Sequence, residues 1–316
     1  MKRLYPEISP FAVHQIDVGA GYTLYVEQCG DPQGVPVVFL HGGPGSGCKP
    51  YHRQFFDPAR YHVVIFDQRG CNRSRPQGEV AKNTTQDLVA DMELIRERLD
   101  IERWVLFGGS WGATLALVYA QTHPERVLAI NVRGTFLARP RDIDWFVRGG
   151  VNRIFPDYWD EFVDHIPVAE RGDLVRAYHR RVHGDNAVAR EAAARTWSRW
   201  AGRVVTYLLS AQEQSGEPED LDKMCNEVSI ETHYAHNHYF LTPNQILDNV
   251  HKLPDVPTVI IHGRRDLTCT AEASWQLHRV LPKSKLVILP ESGHLAGEPG
   301  MIDALVSATD EMLGRL

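Results

Sequence analysis

A serine in the setting Gly108-Gly109-Ser110-Trp111-Gly112 can act as a nucleophile. Its hydroxyl is weak at neutral pH, so it needs a base and a turn that exposes Oγ while leaving nearby N–H groups free. Glycines at 108 and 112 permit a tight strand-to-helix turn, and a helix starting after Ser110 aims its positive end at a developing oxyanion. The glycine-rich run His41-Gly42-Gly43-Pro44-Gly45 suits the second half of an oxyanion hole, so the Gly43 and Trp111 N–H groups are the expected donors. There are 15 histidines. His294 is selected because Glu291-Ser292-Gly293-His294 follows the last apolar run, where a loop can bring imidazole back over Ser110. Asp266 follows an earlier run through His262-Gly263-Arg264-Arg265, and a carboxylate there can hold the imidazole tautomer and stabilise imidazolium. Ser110, Asp266 and His294 thus form a candidate triad for acyl transfer through a covalent intermediate.

Loops of this kind need strands to carry them. Val35 to Leu40, Tyr61 to Phe66, Trp104 to Phe107, Thr258 to Ile261 and Lys285 to Leu289 read as buried parallel strands, rich in β-branched residues and ending in turn signals. Helical segments alternate with them, among them Ala113 to Ala120, which predicts a mostly parallel, doubly wound α/β sheet. Residues 138–244 have a different texture, aromatic, Arg-rich and helical, as in Arg190 to Trp197. They predict a helical cap inserted between two parts of a catalytic core, 1–137 and 245–316. Ser215-Gly216-Glu217-Pro218-Glu219-Asp220 reads as an exposed loop inside that cap.

Composition sets outer bounds. The 316 residues, 43% hydrophobic and 23% charged, suit a folded enzyme with a substantial core. A net charge of -6 provides no basic field for phosphate backbones, so nucleic acid is excluded as a partner. No run approaches the roughly 18 to 20 apolar residues of a membrane span, and the N-terminus lacks the apolar core of a signal peptide. Five scattered cysteines without a CxxC pair fit a reducing compartment, so the cytoplasm is the expected location.

The whole chain resembles the proline iminopeptidases (prolyl aminopeptidases), a family of α/β-hydrolases. The resemblance rests on Leu4-Tyr5-Pro6-Glu7, Glu27-Gln28-Cys29-Gly30, the HGGPG loop, Phe66-Asp67-Gln68-Arg69-Gly70, Asn83-Thr84-Thr85 with Asp87 to Asp91, and Gly108 to Gly112. It continues in Arg133-Gly134-Thr135-Phe136, Ile143-Asp144-Trp145-Phe146, Phe155-Pro156-Asp157 and Ile230-Glu231-Thr232-His233-Tyr234. It implies an α/β-hydrolase fold and a cytoplasmic serine peptidase that needs neither metal nor cofactor and releases N-terminal proline from small peptides or amides, with the triad on Ser110, Asp266 and His294. It also implies that cap carboxylates, Glu231 among them, recognise the free amino terminus, and that Phe136 walls an apolar pocket for the proline ring.

Two positions depart from the family pattern. Where a glutamate follows the second tryptophan of a Trp-x-x-Trp-Glu segment, Trp197-Ser198-Arg199-Trp200 is followed by Ala201. Phe146 stands near a position where an aromatic with a hydroxyl is expected. Losing one of two carboxylates around an ammonium removes a charge-assisted hydrogen bond worth roughly 1.5–3 kcal/mol. The sequence therefore also allows an amidase or esterase with altered amine specificity, and a silent binding protein that uses the cap as a ligand pocket. His233, His236 and His238 fit neither one helix face nor one strand face, and are expected to pack and to line the pocket entrance rather than hold a metal. Cys269 reads as a small buried hydrophobe near the acid, and Arg69 and Arg133 as residues that orient loops through carboxylates or remain solvated.

Overall fold

The computed structural model describes residues 1–209 and 220–316; all of the loop expected at 215–220 except Asp220 lies outside them. The described residues form one eight-stranded sheet in the order β1-β2-β4-β3-β5-β6-β7-β8. The strands are Ala12–Gly19 (β1), Tyr22–Gly30 (β2), Val35–Leu40 (β3), Tyr61–Phe66 (β4), Trp104–Gly109 (β5), Val127–Arg133 (β6), Thr258–Gly263 (β7) and Lys285–Leu289 (β8). From β4 to β8 every neighbour is parallel, while β1 and β2 join as an antiparallel hairpin on β4.

The five anticipated strands are present, and β5 and β7 each run two residues further. The central ones, β4, β5 and β7, are buried along their full length, so they read as unbroken apolar runs. β1, β2 and β6 were not anticipated. β1 is an edge strand with one wet face, and its polar alternation makes a weaker signal than a buried run.

Helices Thr85–Arg98 (α1) and Trp111–Thr122 (α2) cover one face of the sheet, α1 starting in a reciprocal cap. There the Asp87 N–H donates to Thr84 Oγ1 at 3.1 Å and the Thr84 N–H donates to Asp87 Oδ2 at 3.0 Å. Asn83, just before the cap, donates to the Arg69 carbonyl and accepts the Tyr234 hydroxyl at 2.9 Å. Arg69 is not solvated, since its guanidinium grips buried Asp91 with two bonds of 2.7 Å.

Among the described residues, the helices Pro140–Val147 (α3), Pro156–Asp164 (α4), Leu174–Val182 (α5), Ala187–Val205 (α6) and Leu221–His236 (α7) follow β6 and precede β7. Asn186 and Asp220 cap α6 and α7 by accepting from the N–H groups of Ala189 and Lys223. These helices share an apolar cluster of their own, in which Phe162 stacks on Tyr178 at 4.5 Å and meets Trp200 at 5.5 Å. The C-terminal half of α7 instead joins the main core through Ile230 and Tyr234. Gln245–Asp248 (α8), Ala271–Val280 (α9) and Pro299–Met312 (α10) complete the described helices. None of the described helices is long and apolar enough to cross a membrane.

The histidines fall differently from expectation. His233 and His236 meet His179 of α5 and His183 just past its end, with His179 stacked on His236 at 4.1 Å and tilted against His183 at 4.3 Å, and neither these four nor His238 line the cavity described below. Two helices with histidines at i, i+4 and i, i+3 bring these faces together, a pairing that spacing within one segment does not reveal. Burial, and then the neighbouring imidazoles, push His179 down to about 4 and lower His183 and His233. A folded pKa below the unfolded value near 6.5 means that the unfolded chain binds more protons, so the cluster's contribution is complete above about pH 6.5 and is lost as pH falls toward 4. The native melting temperature should drop over that range by at least about 2 °C more than that of His179→Gln. Parallel drops measured by scanning calorimetry would contradict this.

Candidate active site

Ser110 sits where β5 turns into α2, with φ 57° and ψ −125°, a conformation costing roughly 1–3 kcal/mol for a residue with a Cβ. The turn is held by the Ser110 N–H on the Arg133 carbonyl at 3.0 Å and by the Ala113 N–H on the Ser110 carbonyl at 2.9 Å. Its tightness explains the flanking glycines. A Cβ at 108 would stand 2.2 Å from the Gly112 carbonyl oxygen, and one at 112 would stand 2.0 Å from that of Leu40.

That second contact presses the turn against the end of β3, where His41, Gly42 and Gly43 begin the next loop. A chain of hydrogen bonds fixes the two together. Trp111 Nε1 donates to Gln68 Oε1 at 2.9 Å, Gln68 Nε2 donates to the His41 carbonyl at 3.0 Å, and the Gln68 N–H donates to His41 Nε2 at 3.0 Å. With Nε2 accepting, His41 Nδ1–H donates to the Gly42 carbonyl at 2.9 Å, and burial keeps the ring neutral by lowering its pKa. The Trp111 N–H is the first of α2 and has no partner within the helix. Gly43 lines the cavity in front of Ser110.

Asp266 leaves β7 and His294 follows β8. His294 Nδ1–H donates to Asp266 Oδ2 at 2.7 Å, and both residues are buried. The other oxygen, Oδ1, accepts the N–H groups of Thr268 and Cys269 at 2.9 Å each. Burial alone would raise the Asp266 pKa, but His294, His262 and the Cys269 N–H outweigh it and hold the carboxyl below its ordinary value. Arg133 is not solvated either: it donates to the His294 carbonyl, and burial lowers its pKa. With its Nδ1 proton turned to Asp266, His294 presents Nε2 as a base.

Ser110 and His294 line a cavity of about 300 Å³, and so do Glu231, Phe136, Phe146 and Ala201. Asp266 stands behind His294, and the Trp111 side chain points away into the core. Glu231 Oε2 accepts Trp197 Nε1–H at 2.7 Å, which leaves its second oxygen for another donor. Burial pushes Glu231 up to about 7; the Trp197 bond opposes this, and Glu227, one turn earlier on α7, adds to it. Phe136 meets Tyr239 edge-on at 4.8 Å, its carbonyl held by the Thr114 hydroxyl at 2.7 Å. Phe146 leans on Trp200 at 6.1 Å.

Gln68, Tyr239 and Trp197 are part of this assembly without having been assigned to it from sequence. Gln68 belongs to the recognised Asp67-Gln68-Arg69-Gly70 motif, and Trp197 to the segment that ends at Ala201, so the signal was present while the contact was not. Cys269 also lines the cavity beside Ser110. Burial and then the nearby Asp266 charge push it well above its ordinary pKa, so it remains a neutral thiol.

Residues 35–300 match the family model described as alpha/beta hydrolase fold. A proline iminopeptidase of Xylella fastidiosa is 46% identical over 314 residues, covering 99% of this chain and all of the relative. A probable proline iminopeptidase of Leptolyngbya boryana is 44% identical over 318 residues, covering 100% of this chain and 98% of the relative. Among solved structures, a hydrolase from Pseudomonas aeruginosa matches with a TM-score of 0.68 at 16% identity, covering 96% of this chain and 99% of its own, which supports the fold alone.

Proposed function

The chain belongs to the proline iminopeptidase family of α/β hydrolases, and from that premise we propose that it is a serine aminopeptidase in which Ser110, His294 and Asp266 release N-terminal proline from small peptides. Ser110 Oγ attacks the prolyl carbonyl carbon while His294 Nε2 takes its proton. The Gly43 and Trp111 N–H groups donate to the resulting oxyanion. Collapse of the tetrahedral intermediate breaks the C–N bond, and the imidazolium gives its proton to the leaving amine. Water then repeats the sequence on the acyl-enzyme, giving free proline and restoring Ser110.

The observation that carries this reading is the placement of Glu231. Its carboxylate stands in the same cavity as Ser110 and His294 with one oxygen committed to Trp197, so the other can accept from the substrate's ammonium. Phe136 and Phe146 supply apolar wall for the ring. We take residues 138–244 as the cap, 1–137 with 245–316 as the catalytic core, and the cytoplasm as the location, in keeping with five free cysteines.

Ala201 lines this cavity too, and its methyl group offers the ammonium nothing. That favours a broader amine tolerance as the second reading. Prolyl and other aminoacyl anilides, and their N-blocked forms, distinguish the two. Proline release should dominate, and Glu231→Gln should cut kcat/KM for the free-amine substrate by roughly ten- to a hundred-fold while sparing blocked acyl substrates. Because Glu231 titrates near 7, native KM should rise as pH falls below about 7, whereas KM of the glutamine variant should not. No release from prolyl anilide, or faster cleavage of the blocked form, would reject the reading.

A further inference from the structure

Two cap residues reach past the cavity to the loop that carries Asp266. Trp145 on α3 donates Nε1–H to the Leu267 carbonyl at 2.8 Å. Tyr207, two residues beyond α6, donates its hydroxyl to the Arg265 carbonyl. The acceptors belong to the residues on either side of Asp266. The Leu267 side chain packs into the cap's own apolar cluster. Leu208, next to Tyr207, lies over Gly293, where an added Cβ would stand 2.7 Å from Leu208 Cδ1. The loops bearing both the acid and the base are therefore pressed from the cap side.

Within its loop, Asp266 has little freedom, because Oδ1 is fixed by two backbone N–H groups. The direction of Oδ2 toward His294 is then set by where the loop lies. The helices that hold the loop also line the cavity, through Phe146 beside Trp145 and through Val205 at the end of α6.

We propose that Trp145 and Tyr207 are positioning residues that set the Asp266 carboxylate against His294, so that the cap supports turnover as well as substrate capture. This rests on Asp266 being the triad acid. Other charged or titratable groups face the pair from every side. His262 of β7 stands 3.6 Å from Asp266 Oδ2, Arg133 of β6 holds the His294 carbonyl, Cys269 follows in the acid loop, and Glu298 before α10 accepts the N–H groups of Gly293 and Leu295. Trp145→Phe and Tyr207→Phe leave all four in place.

The test uses these two variants, their combination, and Asp266→Asn as reference. The readouts are melting temperature, kcat and KM for prolyl anilide across pH, and the second-order rate of Ser110 labelling by a fluorophosphonate, which needs no cap recognition. Each single variant should lower kcat and labelling about ten-fold, and the double variant more, with KM held within about two-fold. A merely structural role would raise KM and lower the melting temperature along with kcat, whereas a positioning role lowers kcat and labelling alone. Native labelling rates, or a loss of kcat matched by a raised KM and a lower melting temperature, would overturn the proposal in favour of a merely structural role. Labelling of Asp266→Asn at the native rate would remove the acid assignment, and the proposal with it.

Discussion

Ser110→Ala is expected to lower kcat for prolyl anilide by about a million-fold, to a residue of activity owed to binding and the oxyanion donors alone. The size follows from what one oxygen does. Without Oγ there is no acyl-enzyme, so hydrolysis would need water to attack directly from a position that the turn is shaped to give to a side chain. Alanine keeps the backbone contacts to Arg133 and Ala113 and the Cβ that the φ of 57° already accommodates. Melting temperature should therefore stay close to native, which separates loss of chemistry from loss of fold. A variant that retained more than about a thousandth of native kcat in a long-incubation assay would point to another nucleophile, with Cys269 the nearest candidate.

The second large effect is expected from Asp266→Asn, with kcat falling about ten-thousand-fold. An asparagine keeps the volume, and its Oδ1 can still accept the N–H groups of Thr268 and Cys269. Its amide then turns a donor toward His294 Nδ1, which drives the ring proton to Nε2 and leaves no lone pair facing Ser110. In the native protein, the depressed pKa of Asp266 keeps the carboxylate ionised through the working range, ready to hold the Nδ1 proton. Steady-state rates of native and variant proteins from pH 5 to 10 check this, and a loss below about ten-fold would show that the carboxylate is dispensable.

The parts of this site that the sequence announces are those tied to backbone constraints. Gly108 and Gly112 are glycines because carbonyls stand where a Cβ would be, and that requirement survives in any reading of the segment. Asp266 and His294 are legible because each follows a strand whose apolar run is unbroken. β1, half exposed on alternate residues, lacks that mark, β2 carries Glu27 and Gln28 within its run, and β6 carries Asn131. What pattern reading does not reach is contact between distant segments: Gln68 joining Trp111 to His41, four histidines meeting across α5 and α7, Trp145 on the Leu267 carbonyl. Such pairings depend on how helices rotate and dock, which residue spacing within one helix leaves undetermined.

Ala201 illustrates the same limit. The family resemblance leads one to expect a carboxylate where this chain has Ala201, and that position lies on the cavity wall shared with Glu231. Glu227, pushed up to about 7 chiefly by burial, lies one helical turn from Glu231 but does not line that wall. On the proposed reading, amine recognition therefore falls to Glu231.

Stoichiometric labelling by a fluorophosphonate, followed by peptide mapping and by assay of proline release on the same samples, joins the chemistry to the function in one measurement. Proline release should fall in direct proportion to label incorporated and reach zero at one label per chain, all of it on Ser110. Label on another residue, or full occupancy of Ser110 with proline release intact, would contradict the account.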